Sequence, residues 1–424
     1  MLCRTTQPRA RRCPLSAETF DEAAVAGTPH LPRLRAGLLR AAPALGLFAV
    51  ARLTGLLVMS GWAWHIGRRP RAILGRAWDS DWYMLIAEHG YGRTLTWPDG
   101  AVQSDLAFFP LYPGLVRTVS AVLPVTSGTV GLLISWTAAG AAALGIYAIG
   151  ERLYGRRAAT VLVLLWGLLP HSIVLTMAYT EPLLTAFAAW SLYAVLTRHW
   201  VWAGALSALA GLARPNGIAV AAAVTGVACW ELLRRHRRRE RLLGLRNVLG
   251  RAGGGGEPAT WRIWLGAALA PLGWCAYVLY VGFRKGDPLG GYFAVQRGWT
   301  STFDFGTGAL RVVRDIVLRP TVLPLVMALL IVVVSVALFA VLVLERPPAA
   351  LVVYTGVLVL ITIGGSGFFE SKPRFLLPAF PLLLPVALAL TRARPPAAVA
   401  VTVALAGLSF AYGTYLLTLS PVAL

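Results

Sequence analysis

The chain reads as an all-α polytopic membrane protein with about eleven transmembrane spans. Three observations carry that expectation. Of its 424 residues, 57% are hydrophobic and only 13% are charged, against about 25% charged in ordinary soluble domains. Several stretches stay apolar and nearly uncharged over the roughly 20 residues a membrane helix requires. The remaining charges gather between those stretches. Together these features exclude a disordered chain and a soluble multidomain enzyme.

The expected spans fall near 41–64, 127–150, 158–178, 180–197, 200–213, 216–233, 263–283, 321–344, 349–366, 376–391 and 397–419. The first follows a tail of some forty residues and lacks a small-residue cleavage site, so it reads as a span and not a signal peptide. The two segments flanking Arg214 are short and read as a broken hairpin. The domain plan is a tail, 1–40, and one transmembrane domain, 41–424. That domain carries external loops at 65–126 and 284–320 and a basic cytoplasmic loop at 231–262. No internal repeat is visible.

The charge balance is 39 Lys+Arg against 18 Asp+Glu, a net +21. In a soluble protein that excess would suggest nucleic acid; here placement decides. With the tail inside and each span changing side, the inside segments hold 23 basic and eight acidic residues. The outside segments hold 15 and ten. This positive-inside bias implies a multi-pass cell-membrane protein with a cytoplasmic N-terminus, an external C-terminus and no nucleic-acid partner. The cluster Arg234, Arg235, Arg237, Arg238, Arg239 and Arg241 reads as an anchor to anionic membrane lipid. Gly253–Gly256 has no following Gly-Lys-Ser/Thr and reads as a linker, not a phosphate cradle. Cys3, Cys13, Cys229 and Cys275 form no CxxC pair and gather no histidines, so no disulfide framework or metal site is expected.

On this topology the unusual polar residues collect on the external side. The richest segment runs Trp78-Asp79-Ser80-Asp81-Trp82-Tyr83, ending in Glu88-His89-Gly90-Tyr91. Its apolar residues recur at near-helical spacing, which predicts a short interfacial helix with Asp79 capping its start. Capping accounts for one carboxylate, not for Asp81 and the Glu88-His89 pair as well. Ala107-Phe108-Phe109-Pro110-Leu111-Tyr112-Pro113 reads as a re-entry turn. In Leu169-Pro170-His171-Ser172 the proline breaks a span, and Tyr179-Thr180-Glu181 follows. Arg214-Pro215-Asn216-Gly217 holds one of only two asparagines beside an arginine at membrane level. Glu370-Ser371-Lys372-Pro373-Arg374 reads as a short external turn whose two cations suit a lipid phosphate. Arg52 lies inside the first span, where an arginine is a functional candidate by default.

The spacing Trp-Asp, then Ile-Ala-Glu-His-Gly-Tyr, then Ala-Phe-Phe-Pro-x-x-Pro resembles the PIG-V family. Those enzymes add the second mannose to GPI anchors, have bacterial relatives, and belong to the GT-C class of membrane glycosyltransferases. Pro-x-Ser to Tyr-Thr-Glu at 170–181 and Arg-x-Asn-Gly at 214–217 resemble further family motifs in the same order, with a weaker Arg-Phe-Leu at 374–376. The clear matches cover about 100 residues of the chain. The resemblance implies a GT-C-like bundle and a polyprenyl-phosphate mannose donor used on the external face. It also implies an aspartate base in the first external loop, at Asp79. The alanine- and arginine-heavy composition suggests a bacterium, so the acceptor is expected to be a glycan or lipid-glycan other than a GPI anchor.

Glycosyl transfer needs a carboxylate to take the acceptor's proton and positive charge to stabilise the departing phosphate. Asp79 is the expected base, with Asp81 the spare acid. Arg374 and Lys372 are the first choices for phosphate, and Arg214 the second. Trp78, Trp82 and Tyr83 would orient the sugar or the loop. Glu88, His89, Glu181 and Asn216 would meet the acceptor or support the site. Attack opposite the phosphate would invert the anomeric centre, and the scheme requires no cofactor or metal. A flippase of a lipid-linked precursor is the alternative from another class, but it would place polar groups on a path facing both sides. A non-catalytic assembly protein on the same scaffold is a third reading. Release of sugar from a labelled donor separates the three.

Overall fold

A computed structural model describes residues 30–98, 100–249 and 260–422, without the side chains of 30–34 and 238–249. Cys3, Cys13, most of the 1–40 tail, the side chains of Arg238, Arg239 and Arg241, and Gly253–Gly256 lie outside the described residues. The chain divides into two units, 1–40 and 41–424, and the second forms the helical bundle.

The protein is a polytopic membrane bundle of α-helices with one small hairpin. Helix α1 (His30–His65) leads to two short helices, α2 (Pro70–Arg76) and α3 (Asp79–His89), then to a small antiparallel hairpin, β1 (Thr94–Thr96) with β2 (Val102–Ser104). After α4 (Leu111–Ser120) come α5 (Ser127–Gly167), α6 (Glu181–Leu196), α7 (Trp200–Ala213) and α8 (Ile218–Leu249). The pair α9 (Thr260–Leu269) and α10 (Leu272–Arg284) meets at Pro271, and α11 (Gly291–Gly298) and α12 (Thr307–Leu318) follow. The last part holds α13 (Leu323–Leu344), α14 (Ala349–Gly364), α15 (Lys372–Leu376), α16 (Leu384–Arg392) and α17 (Pro395–Thr418).

Among the described residues, six helical stretches are long and apolar enough to cross a membrane. A seventh arises if the pair Phe369–Leu376 and Phe380–Arg392, bent by 78°, is one span. The count differs from the expected eleven because several expected spans are shorter than a full crossing and the 127–167 stretch counts once. The stretches expected at 127–150 and 158–178 correspond to the two arms of α5, which meet at Gly155 within the expected 151–157 connection, the second arm being shorter than expected. Gly155 has φ +83°, open to glycine without a Cβ clash. The two arms then fold together closely: a Cβ on Gly150 would sit 2.9 Å from Ala159 Cα. The second arm ends at Gly167, before Pro170, so 168–180 is largely irregular. Helices α6, α7 and α14 are apolar but shorter than a full crossing. The basic stretch after 231 is not simply a loop, because α8 continues to Leu249.

Broken backbone in a bundle must find hydrogen-bond partners inside it. Where Pro378 interrupts the bent pair, Trp166 Nε1 donates to Leu377 O at 3.0 Å and Tyr354 Oη to Pro378 O at 2.9 Å. In the irregular segment, Trp136 Nε1 donates to Thr176 O and Ser135 Oγ to Tyr179 O. Around the Ala107–Pro110 turn, Tyr277 Oη donates to Leu106 O and Phe108 O, and Tyr91 Oη also donates to Phe108 O. The turn is therefore a packed platform, with Trp82, Phe108 and Trp299 in mutual ring contact at 5.3–5.8 Å.

The segment read as an interfacial helix is α3, and its apolar residues Tyr83, Met84, Ile86 and Ala87 are buried. It packs against α5, where a side chain at Gly131 would strike Met84 and Tyr112. One local expectation differs. Asp79 does not cap α3: the N-cap position is Trp78, which makes no side-chain cap bond, and Asp79 is the first helical residue with its carboxylate turned elsewhere.

Candidate functional site

Four segments far apart in sequence each deliver one charged side chain to the same place. The first turn of α3 supplies Asp79. It is anchored by α2, where Ala178 N donates to Leu74 O at 2.9 Å, and by Trp78, which holds φ +52° immediately before it. Non-glycine residues seldom adopt that region, so the surroundings hold the backbone there. The first residue of α6 supplies Glu181, and Pro182 behind it suits a helix start. Arg214 sits between α7 and a 3-10 turn, fully extended at φ −158°, ψ 158°. Pro215 explains that conformation, since a proline disfavours helix in the residue before it. The segment Phe369–Leu376 supplies Arg374.

The geometry is a compact network of two acids and two arginines. Arg374 Nη1 lies 2.7 Å from Asp79 Oδ2, their side chains 8% and 18% exposed. Arg214 Nη1 lies 2.7 Å from Glu181 Oε1, at 8% and 1%. Arg374 Nε is 3.9 Å from the same Glu181 oxygen, which links the pairs. Aromatic rings line the cations: Arg374 stands over Tyr179 at 5.4 Å and Phe375 at 5.2 Å, and Arg214 over Phe375 at 5.7 Å. Thr180 joins the acids' surroundings to α3, accepting from Arg214 Nη1 at 2.8 Å and sharing a hydrogen bond with Tyr83 Oη at 3.1 Å. Burial is the main reason the Tyr83 hydroxyl is pushed up to about 12; Arg214 opposes it, while Asp79 and Glu181 reinforce it. Tyr83 therefore stays protonated near neutral pH and serves as a hydrogen-bonding group, not a base.

Buried ions are costly unless paired, and here each charge is balanced. Yet the network is incomplete as hydrogen bonding. Glu181 Oε1, and Nε and Nη1 of Arg374, are buried and ion-paired without an aligned hydrogen bond, and Glu181 Oε2 is buried without a hydrogen bond. Their capacity to bind a polar ligand is unspent.

The other sequence candidates are placed differently. Asp81 and Glu88 share Arg76, with Arg76 Nη1 at 3.2 Å from Asp81 and Nη2 paired with Glu88, which Ser127 also meets. His89 is exposed at the end of α3. Trp82 belongs to the aromatic platform, and Trp78 precedes Asp79 half-buried. Asn216 is buried in the turn after Arg214. The 369–376 segment is not an open turn, since Ser371, Lys372 and Arg374 are all buried. Lys372 points away from the network. Its Nζ donates to Thr362 O and, at 2.7 Å, to Gly365 O, so it satisfies carbonyls freed at the end of α14. The loop 302–304 straps the same turn through Ser366 N to Thr302 O and Asp304 N to Gly364 O.

Sequence reasoning passed over Thr180, Tyr179 and Phe375, although each adjoins a residue it chose. It also passed over Arg76 and His171. His171 is buried against Tyr412, ring centroids 5.3 Å apart, with neither ring nitrogen hydrogen-bonded. Among the described residues no group of three or more His, Cys, Asp or Glu is gathered for a metal ion.

Residues 110–249, about a third of the chain, match the family described as Dolichyl-phosphate-mannose-protein mannosyltransferase. That stretch holds Glu181 and Arg214 but neither Asp79 nor Arg374. No curated protein matches the chain. Among solved structures it is similar to ArnT from Cupriavidus metallidurans in the apo state, at 14% identity and TM-score 0.45, covering 74% of this chain and 54% of that one. It is similar to the apo Archaeoglobus fulgidus oligosaccharyltransferase at 12% identity and TM-score 0.45, covering 88% and 58%. AglB from Archaeoglobus fulgidus, in complex with an inhibitory peptide and a dolichol-phosphate, gives 14% identity and TM-score 0.44, covering 87% and 55%. The chain thus spans a little over half the length of these solved chains.

Proposed function

We propose that this chain is a PIG-V-like membrane glycosyltransferase that moves a mannosyl residue from a polyprenyl-phosphate donor to a glycan or lipid-glycan acceptor on the external face. The observation that carries this reading is the buried Asp79–Arg374 pair, joined through Glu181 to Arg214. It places a carboxylate beside two cations, the two kinds of group that glycosyl transfer from a phosphate requires. The family match over 110–249 supports the reading through the donor class named in that family's description. The positive-inside bias supports the external side.

In this reading Asp79 accepts the proton of the acceptor hydroxyl as that oxygen attacks the anomeric carbon. Arg374 and Arg214 stabilise the departing lipid phosphate, in a site where screening by water is weak and a fixed charge acts strongly. Glu181 keeps both guanidinium groups in place, and the Tyr83 hydroxyl holds Thr180 against Arg214. Lys372 gives up the phosphate role expected for it, because its ammonium is spent on the carbonyls of α14. Asp81 gives up the role of spare base, being held on the Arg76 side of α3.

The test is transfer from labelled polyprenyl-phosphate mannose in membranes that hold equal amounts of parent and Asp79→Asn protein. Loss of transfer in the variant is expected. Normal turnover would overturn the base assignment, and absence of any sugar release by the parent, with the donor varied, would overturn the enzyme reading.

A further inference from the structure

The resting network holds two negative and two positive side chains, so it is already neutral without a donor. A lipid phosphodiester would bring one more negative charge to a network whose two arginines, among the described residues, are already ion-paired. The base and the phosphate also call on the same guanidinium. Resting on the function proposed above, we infer that Asp79 and the lipid phosphate compete for Arg374, and that this exchange couples the donor to the base.

Three features of the structure make Arg374 the group that changes partner. Its approach to Asp79, Nη1 to Oδ2 at 2.7 Å, is an ion pair without an aligned hydrogen bond from Nη1. Nε and Nη1 lack aligned hydrogen bonds although the residue is more than nine-tenths buried. A planar guanidinium in that condition suits the paired oxygens of a phosphate, which can take two parallel hydrogen bonds. Its faces, meanwhile, are held by Tyr179 and Phe375, so the group can trade an edge partner without leaving its place. Arg214 is less free to do so, because Nη1 is committed to both Glu181 and Thr180.

The exchange balances over one turnover. The acceptor oxygen forms a bond to the anomeric carbon, and the bond from that carbon to the phosphate oxygen breaks with its electron pair remaining on the phosphate. The acceptor proton passes to Asp79. The phosphate gains one negative charge as Asp79 loses one, so Arg374 passes from carboxylate to phosphate with no change in the charge of the buried site. A neutral residue 79 therefore resembles the state just after transfer, in which the lipid monophosphate has sole claim on Arg374.

The experiment measures binding of a polyprenyl monophosphate to purified protein in lipid nanodiscs, alongside transfer from the labelled donor. Asp79→Asn is expected to abolish transfer and yet bind the monophosphate about tenfold more tightly than the parent, roughly 1.4 kcal/mol. Arg374→Ala is expected to bind at least tenfold more weakly, and Glu151→Gln, on α5 in an ion pair with Arg156 at 3.3 Å, to match the parent. Asp79→Ser repeats the test if the asparagine variant does not elute as a folded, monodisperse protein. Unchanged or weaker binding in the residue 79 variants, with Arg374→Ala still impaired, overturns the exchange and leaves the phosphate assignment intact. Unchanged binding in Arg374→Ala overturns the phosphate assignment and the exchange with it. Retained transfer in Asp79→Asn overturns the base assignment and the coupling with it, while the competition for Arg374 is decided by the binding result.

Discussion

Asp79 and Asp81 stand two residues apart on α3, and each faces an arginine. At 3.6 residues per turn they point to nearly opposite sides of the helix. Asp79 meets Arg374 at 2.7 Å where the pair is 18% and 8% exposed. Asp81 meets Arg76 at 3.2 Å where the pair is 47% and 40% exposed. Composition and spacing hardly distinguish the two; burial does. An exposed ion pair is screened and contributes about 0–1 kcal/mol. A buried one costs more to assemble, and removing one partner strands a charge at about 3–5 kcal/mol. The buried side of α3 is therefore where a charge can do chemistry, and the exposed side is where a charge mostly holds neighbouring helices together.

The sharpest way to break that contrast is to neutralise each aspartate. Asp79→Asn is expected to lower the transfer rate by about 10²–10⁴-fold, the range for loss of a positioned base, read from labelled donor. Glu181→Ala comes next, because it leaves Arg214 without its carboxylate; about 3–5 kcal/mol of stability should be lost, seen as a lower midpoint of thermal unfolding in detergent. Tyr277→Phe asks how firmly the aromatic platform is held. It removes the side-chain donor to Leu106 O and leaves Phe108 O with Tyr91 alone, and should cost about 1–3 kcal/mol in the same assay. The smallest effect is expected for Asp81→Asn, at about 0–1 kcal/mol and with transfer within a few fold of the parent. If Asp81→Asn removed transfer as completely as Asp79→Asn, the division between the two faces of α3 would fail.

Much of the helical architecture is legible in the sequence, because apolar runs and proline breaks leave a direct mark on composition. The segments around Pro170, Pro215 and Pro373 are legible for the same reason, and they deliver Glu181, Arg214 and Arg374 to one place. The partners are not legible. Nothing in the order of residues says that Arg374 faces Asp79 while Lys372, two positions earlier, faces the carbonyls of α14. That difference arises from which side of a five-residue helix each occupies and from where α14 ends. The return at Gly155, by contrast, is legible, because the charged run 151–157 separates two apolar stretches, although the single residue that makes the turn is not. Arg76 escaped notice because its meaning depends on the distance between α2, α3 and the start of α5, which is a property of packing alone.

The irregular segment beneath the network is covered by α17: Ser172 shares a hydrogen bond with Ser409, His171 packs on Tyr412, and Gly413 approaches Ile173. By the time the ribosome has finished α16, Asp79, Glu181, Arg214 and Arg374 have all been synthesised, but the floor on which Tyr179 and Glu181 rest is still open on one side. Helix α17 closes it. A nascent chain stopped before residue 395 would carry every charged group of the site and lack the helix that covers His171, Ser172 and Ile173.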